Sequence, residues 1–323
     1  MPNKVVGVTG ACGFIGGAIC IALKSRGYTV VGLDRARRPH ILPFIDTFYH
    51  TDFEVIPSLK FSDFENCNVI IHCAGTSLVG PSLRNPLLYY NNNVAKTIKL
   101  LEWCLEYDKH FMFSSSASVY KTKNIPLKEN DTLDPLSPYA KSKRMIEQVV
   151  EDYEEAYNLK ATIFRYFNAC GAIDDIHGQD PGATHIFPKL FESKNDFVLN
   201  GNNFKTRDGT CIRDYIHIED IALAHIKAME KNAYGIYNLG SCKGYTNLEI
   251  IKQVNKSYTV SERRPGDSDC LIADNTLARN RLDWNPTYSL SSIVDSLRKW
   301  YSSKTFSGLS ASSRSINSAA YGN

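Results

Sequence analysis

A chain of 323 residues, 43% hydrophobic and 22% charged, carries enough apolar material for a large core with a smaller appended lobe. Its formal net charge of +3 argues against a nucleic-acid binder, and no apolar run approaches the length of a membrane span. The nine cysteines are scattered through apolar segments without paired spacing, so buried free thiols are expected and no metal site. The N-terminus runs directly into a strand pattern at 4–8 with no charged leader, which predicts a reducing, cytoplasmic setting. A helix pattern over 14–26 and a strand over 29–34 follow, then strands at 48–52, 69–72, 111–115 and 161–166, with helical patterns at 86–107 and 137–158 between them. This alternation predicts an α/β fold, a doubly wound parallel sheet with helices on both faces. From Cys170 onward, segments rich in Gly, Pro, Asp and His predict a smaller α/β lobe closing over ligand at the strand ends. A strand at 212–217, a helix at 219–230 and a strand at 236–239 are expected to return to the core. The resulting domains are 1–169 with roughly 211–241 as the core, 170–301 as mainly the smaller lobe, and 302–323 as a Ser-, Ala- and Asn-rich disordered tail.

Residues 9–16 read TGACGFIG, so Gly10, Gly13 and Gly16 follow a strand pattern and open a helix pattern, the context a dinucleotide-binding loop needs. Gly10 permits a tight turn, Gly13 lets backbone approach a pyrophosphate, and Gly16 brings the first helix close to the sheet. The phosphates then meet the free amides and positive end of that helix. Three glycines alone are weak evidence, since ordinary turns are rich in glycine. Asp34 weighs against that: at the end of the second strand, it stands where a carboxylate bonds the adenosine ribose hydroxyls and repels a 2′-phosphate, which favours NAD over NADP. Arg35, Arg37 and Arg38 follow and could hold a phosphate, although a solvated basic loop is the plainer reading.

Tyr139 and Lys143 stand four apart in SPYAKSK, which stacks phenol and ammonium on one helical face. With that cation and a positive nicotinamide beside it, the Tyr139 pKa is expected to fall toward neutrality, making a general base for a sugar hydroxyl. Taken alone, the pair reads better as two surface residues at common helical spacing. Joined to the glycine motif and to Ser114, Ser115 and Ser116 at the end of a strand, it gains weight, because such strand ends face the ligand crevice.

These blocks resemble the UDP-glucose 4-epimerase family, and the likeness runs from about residue 4 to residue 300. It is carried by TGACGFIG at 9–16, NPLLYYNNNV at 85–94, FSSSASVY at 113–120, SPYAKSK at 137–143, RYFNACGA at 165–172, DGTCIRDYIHI at 208–218, YNLG at 237–240 and RRPGD at 263–267. The resemblance implies an extended short-chain dehydrogenase fold of Rossmann type, NAD as cofactor, a UDP-hexose substrate, and a homodimer built on the helices over 86–107 and 137–158. It implies Ser116, Tyr139 and Lys143 as catalytic residues. Gly10, Gly13, Phe14, Ile15, Gly16, Asp34, Asp52, Phe53, Ala74, Asn93, Ser114 and Tyr166, with Tyr139 and Lys143, are the implied NAD contacts. Asn168, His185, Ile186, Val198, Arg213, Tyr215, Arg264, Asp267 and Leu271, with Ser116, are the implied substrate contacts. The chemistry suits them, since two guanidiniums match a diphosphate and Asp267 can accept from ribose hydroxyls. The implied reaction oxidises C4, with Tyr139 taking the hydroxyl proton and hydride passing to NAD. The 4-keto sugar, anchored by its UDP, then turns over and receives hydride on its opposite face.

The sequence departs from the family pattern in several places. Ser77 stands where many members carry a lysine near the nicotinamide, His185 and Ile186 replace Asn and Leu, and the 35–49 segment is shorter than usual. Leu271 occupies the position that often limits the C2 substituent, and its intermediate size neither admits nor excludes N-acetylhexosamines. A 4-epimerase of UDP-N-acetylglucosamine or UDP-glucuronate is therefore the runner-up. Sugar-nucleotide dehydratase and decarboxylase readings weaken because Ala117 and Ser118 stand where their acids would be. A non-catalytic NAD-binding regulator, the rival from another class, usually lacks the tyrosine and lysine pair.

Overall fold

The structure is a computed structural model that describes residues 5–58, 63–123, 125–180, 182–192, 195–264 and 267–306. The chain opens with β1 (Val5–Thr9), α1 (Phe14–Ser25), β2 (Thr29–Asp34), β3 (Thr47–His50) and β4 (Val69–His72). Then come α2 (Val79–Arg84), α3 (Pro86–Tyr90), α4 (Lys96–Glu106), β5 (His110–Ser116), α5 (Pro138–Tyr157) and β6 (Ala161–Tyr166). The second half runs β7 (Asn168–Cys170), β8 (Ala172–Ile173), β9 (His177–Gly178), α6 (Ile186–Glu192), β10 (Phe197–Asn200), β11 (Ile212–His217), α7 (Ile218–Lys231) and β12 (Gly235–Leu239). It ends with β13 (Gly244–Thr246), α8 (Asn247–Val254), β14 (Tyr258–Ser261), β15 (Cys270–Leu271), α9 (Thr276–Leu282) and α10 (Leu290–Phe306).

Seven strands form one parallel sheet in the order β12-β6-β5-β4-β1-β2-β3. Its strands are nearly continuous apolar runs because helices cover both faces. On one face Ile19 and Leu23 of α1 and Ile221 and Ala224 of α7 pack with Val6, Val8 and Ile71. On the other, Leu100 and Leu101 of α4 and Ile146 and Val150 of α5 pack with Ile70, Phe111, Phe113 and Ile163. α5 is well delimited: Ser137 Oγ accepts from the Ala140 N–H, Pro138 occupies the first turn, and Asn158 ends the helix at φ 57°. Since β1 lies between β2 and β4, strand order reverses there, and a crevice opens outside the carboxyl ends of these strands.

Three expectations about elements need correction. The helix expected over 86–107 is α3 and α4 joined through a π-helical turn at Asn91–Ala95. The strand at 212–217 does not return to the central sheet: β11 pairs with β7, β13 and β15 in a smaller sheet, while α7 and β12 do rejoin the core. Its partners are supplied by the second half of the chain, so an apolar pattern alone could not assign it. Finally, α10 continues to Phe306 into the segment expected to be a disordered tail, and 307–323 lie outside the described residues.

Candidate active site

The glycine loop is shaped by backbone contact. Gly10 has φ +69°, and a Cβ there would lie 2.7 Å from the Ala74 nitrogen; a Cβ on Gly16 would lie 2.1 Å from the Gly10 carbonyl oxygen. These contacts draw α1 onto the sheet with no side-chain cap at Gly13, leaving its first amides for a ligand, beside half-buried Phe14 and Ile15. The groove ahead of it is lined by Gly10, Cys12, Gly13, Asp34, Arg38 and Phe53, and continues past Asp52 and Ala74 to Gly75. Asp34 accepts from the Cys12 N–H at 2.9 Å and from the Ala36 N–H at 2.8 Å, which fixes its carboxylate at the groove wall. Asp52 lies just past β3, bonded by Lys96 at 2.9 Å and approached by Arg35 at 3.8 Å. Phe53 is buried edge-on against His72, with ring centroids 4.7 Å apart.

The groove runs into the tyrosine and lysine site. A Cβ on Gly75 would stand 3.6 Å from Lys143 Nζ. Lys143 is buried, donates to the Ser114 carbonyl at 2.9 Å and lies over the Phe113 ring. Burial pushes its ammonium down to about 8, against the opposing pull of Cys73 and Glu147. Ser116 ends β5, where its hydroxyl accepts from the Ser118 N–H and hydroxyl and faces the Tyr139 phenol. Burial pushes the Tyr139 phenol up, and Ser116 only partly offsets this. Lys143 points its ammonium at the Ser114 carbonyl, and desolvation is the dominant influence on the phenol. Tyr89 stands edge-on to Tyr139 at 6.4 Å and donates to the carbonyls of Ser77 and Leu78, holding Leu78 at φ 88°.

Two residues expected against the cofactor have other commitments. Asn93, in the π-helical turn, uses its whole amide: it accepts from the Thr76 N–H and donates to the Thr76 carbonyl and Ser142 Oγ. It thereby pins the loop after β4 to α5, with Oδ1 beside Gly75 of the groove lining. Tyr166 is buried, its hydroxyl bonded to Ser114 Oγ at 3.0 Å and to His225 Nε2 at 2.8 Å. His225 Nδ1 bonds the Ile221 carbonyl, and at the other end Ser114 Oγ also donates to Cys73 Sγ, which lines the groove.

The small sheet gathers Asn168, Arg213, Tyr215 and Leu271 from among the expected substrate contacts. Tyr215 stands opposite Asn168 and Arg213 opposite Leu271, and the Tyr215 side chain is buried against Phe187. Arg213 donates to the Ile212 and Ser268 carbonyls at 2.8 and 2.9 Å, and Asp267 N–H caps the Arg264 carbonyl at 3.3 Å. Arg264 is exposed, His185 and Ile186 mark the start of α6, and Val198 is exposed on β10. Sequence reasoning did not single out Lys189 on α6, which partial desolvation and then the Arg264 charge push below its usual value. It also missed Lys96, whose pairing with Asp52 across 44 residues leaves no local signal. Among the described residues no group of three or more His, Cys, Asp or Glu comes together as metal ligands.

Residues 6–240 match the NAD dependent epimerase/dehydratase family. A UDP-glucose 4-epimerase of Lactobacillus helveticus is 35% identical over 319 residues, covering 92% of this chain and 96% of that protein. The UDP-glucose 4-epimerase of Bifidobacterium longum, solved in complex with NAD+ and UDP, superposes with a TM-score of 0.85 at 29% identity, covering 94% of this chain and 99% of that one. That of Stenotrophomonas maltophila superposes with a TM-score of 0.88 at 27% identity, covering 94% and 100%.

Proposed function

The chain belongs to the NAD dependent epimerase/dehydratase family, and on that premise we propose that it is an isomerase interconverting UDP-glucose and UDP-galactose by inversion at C4. The observation that carries this reading is the meeting of Ser116, Tyr139 and Lys143 at the end of β5, where the groove walled by Asp34 and the glycine loop terminates.

The residues present fit NAD: the groove lined by Gly10 and Gly13, the uncapped amides of α1 and the carboxylate of Asp34 match a dinucleotide's pyrophosphate and ribose. Gly10, Gly13, Phe14, Ile15, Gly16, Asp34, Asp52, Phe53 and Ala74 would hold it, with Lys143 and Tyr139 at its far end. Bound there, NAD supplies a reversible hydride acceptor at C4. Tyr139 Oη takes and returns the proton of the C4 hydroxyl while Ser116 Oγ hydrogen-bonds the same oxygen. Lys143 keeps its proton at neutral pH and places positive charge beside these oxygens. Arg213, Arg264 and Lys189 would anchor the diphosphate, leaving the hexose free to turn.

Incubation with UDP-glucose, UDP-N-acetylglucosamine and UDP-glucuronate separately, without added NAD, followed by anomeric proton NMR, tests this reading. UDP-galactose should form; conversion of an acetylated or acidic sugar alone would move the assignment to the runner-up, and no epimer even with NAD supplied would sink it. Tyr139→Phe should lose about 10²–10⁴-fold in turnover while retaining its nucleotide. A cytoplasmic setting is supported by the nine free cysteines, and recovery of the native protein in a secreted fraction would contradict it.

A further inference from the structure

We propose that Asp180 enforces the preference for NAD over NADP by engaging the Arg38 guanidinium, so that its donors do not pair with a 2′-phosphate at the corner of the groove beside Asp34. Arg38 lines the groove with Asp34, Arg35 and Ala36, and its guanidinium interacts electrostatically with the Asp34 carboxylate. It is 27% exposed, and both of its terminal nitrogens donate to the two oxygens of Asp180. A bidentate pair of this kind uses the face of the guanidinium that would otherwise match a phosphate. Arg35, the next cation along the loop, is 62% exposed and leans toward Asp52.

Asp180 cannot follow Arg38 toward a ligand, because its segment is anchored. His177 Nε2 bonds the Phe14 carbonyl at 2.7 Å, and Trp300 Nε1 donates to the Gln179 carbonyl at 2.9 Å. The segment is thus fastened both to the first turn of α1 and to α10. A 2′-phosphate entering beside Asp34 therefore meets one carboxylate and one already neutralised arginine. Asp180 acts through Arg38, as a positioning residue for cofactor choice, and the inference rests on the groove being the NAD site.

The test expresses the full chain in one host as wild type, Asp180→Ala, Arg38→Gln and the double variant, releases the nucleotide each protein retains, and measures NADP and NAD chromatographically. The host's own pools cancel in the comparison. Asp180→Ala should raise the NADP-to-NAD ratio about tenfold or more, the effect of one added charge-assisted contact. Arg38→Gln and the double variant should show no rise, although they lose the same ion pair. If Asp180→Ala does not fold, Asp180→Asn, which keeps the shape and removes the charge, replaces it. An unchanged ratio in the Asp180 variant, or an equal rise in the double variant, overturns the inference. A wild-type protein that retains neither nucleotide overturns instead the cofactor reading on which it rests.

Discussion

Lys143 is a charge placed where burial disfavours it. Its pKa, pushed from 10.5 to about 8, means that the folded chain binds fewer protons than the unfolded chain between those values. Stability should therefore rise with pH across that window, and the full cost of the buried ammonium is present below about pH 8. Lys143→Met removes this cost. It should abolish most turnover yet stabilise the protein by about 1–3 kcal/mol at pH 7, with the gain shrinking between pH 8 and 10.5. Urea denaturation of both proteins at pH 7 and pH 10 checks it, and an identical difference at the two pH values would refute it. At this scale the sequence singled out Tyr139 and Lys143 by spacing and motif, and Ser116 by family resemblance. It could not say that the ammonium would bond Ser114, or that the phenol would be raised, because desolvation depends on what packs around a side chain.

α5 is the element that turns this chemistry into geometry. One turn beyond Lys143, Glu147 is fully buried, accepts from Ser115 Oγ at 2.5 Å and forms a two-point pair with Arg165 of β6. Arg165 also donates to the Tyr120 hydroxyl and the Glu129 carbonyl, so one ion pair ties the catalytic helix to two strands and the loop beyond β5. Glu147→Gln leaves the guanidinium buried without its counter-charge and should cost about 3–5 kcal/mol, part of which Arg165→Met in the same chain should restore. Equilibrium denaturation of both variants measures this; a double variant no more stable than Glu147→Gln would count against it. The helix itself was legible from its period and its Ser-Pro start. The π-helical turn before α4 was not, since Asn91, Asn92 and Asn93 fit a helical pattern and their deviation comes from Asn92 and Asn93 bonding Thr76.

For the whole molecule, the two halves of the chain interleave: α7 packs on α1, and Trp284, buried beyond α9, donates to the Asp220 carbonyl inside the same core. We propose the domain division at 1–169 and 170–301 with this return, and a homodimer through the face where α3 and α4 meet α5. Leu87 and Met145, exposed there at 67% and 44%, support the latter. Sedimentation should read twice the 36.3 kDa chain, and Met145→Glu should shift it toward the monomer; a wild-type monomer at micromolar concentration would end the idea. The sequence by itself determined the parallel α/β core, the glycine loop, the acidic residue at the end of β2 and the spacing of Tyr139 and Lys143, because each is a local pattern of period, spacing or residue type. Only the tertiary structure decided that β11 joins the small sheet, that Asn93 bonds Ser142 and Tyr166 bonds His225, and that Arg38 is held by Asp180, 142 residues away. Those outcomes follow from which buried polar groups find partners, and such pairing is settled by chain packing that no local pattern encodes.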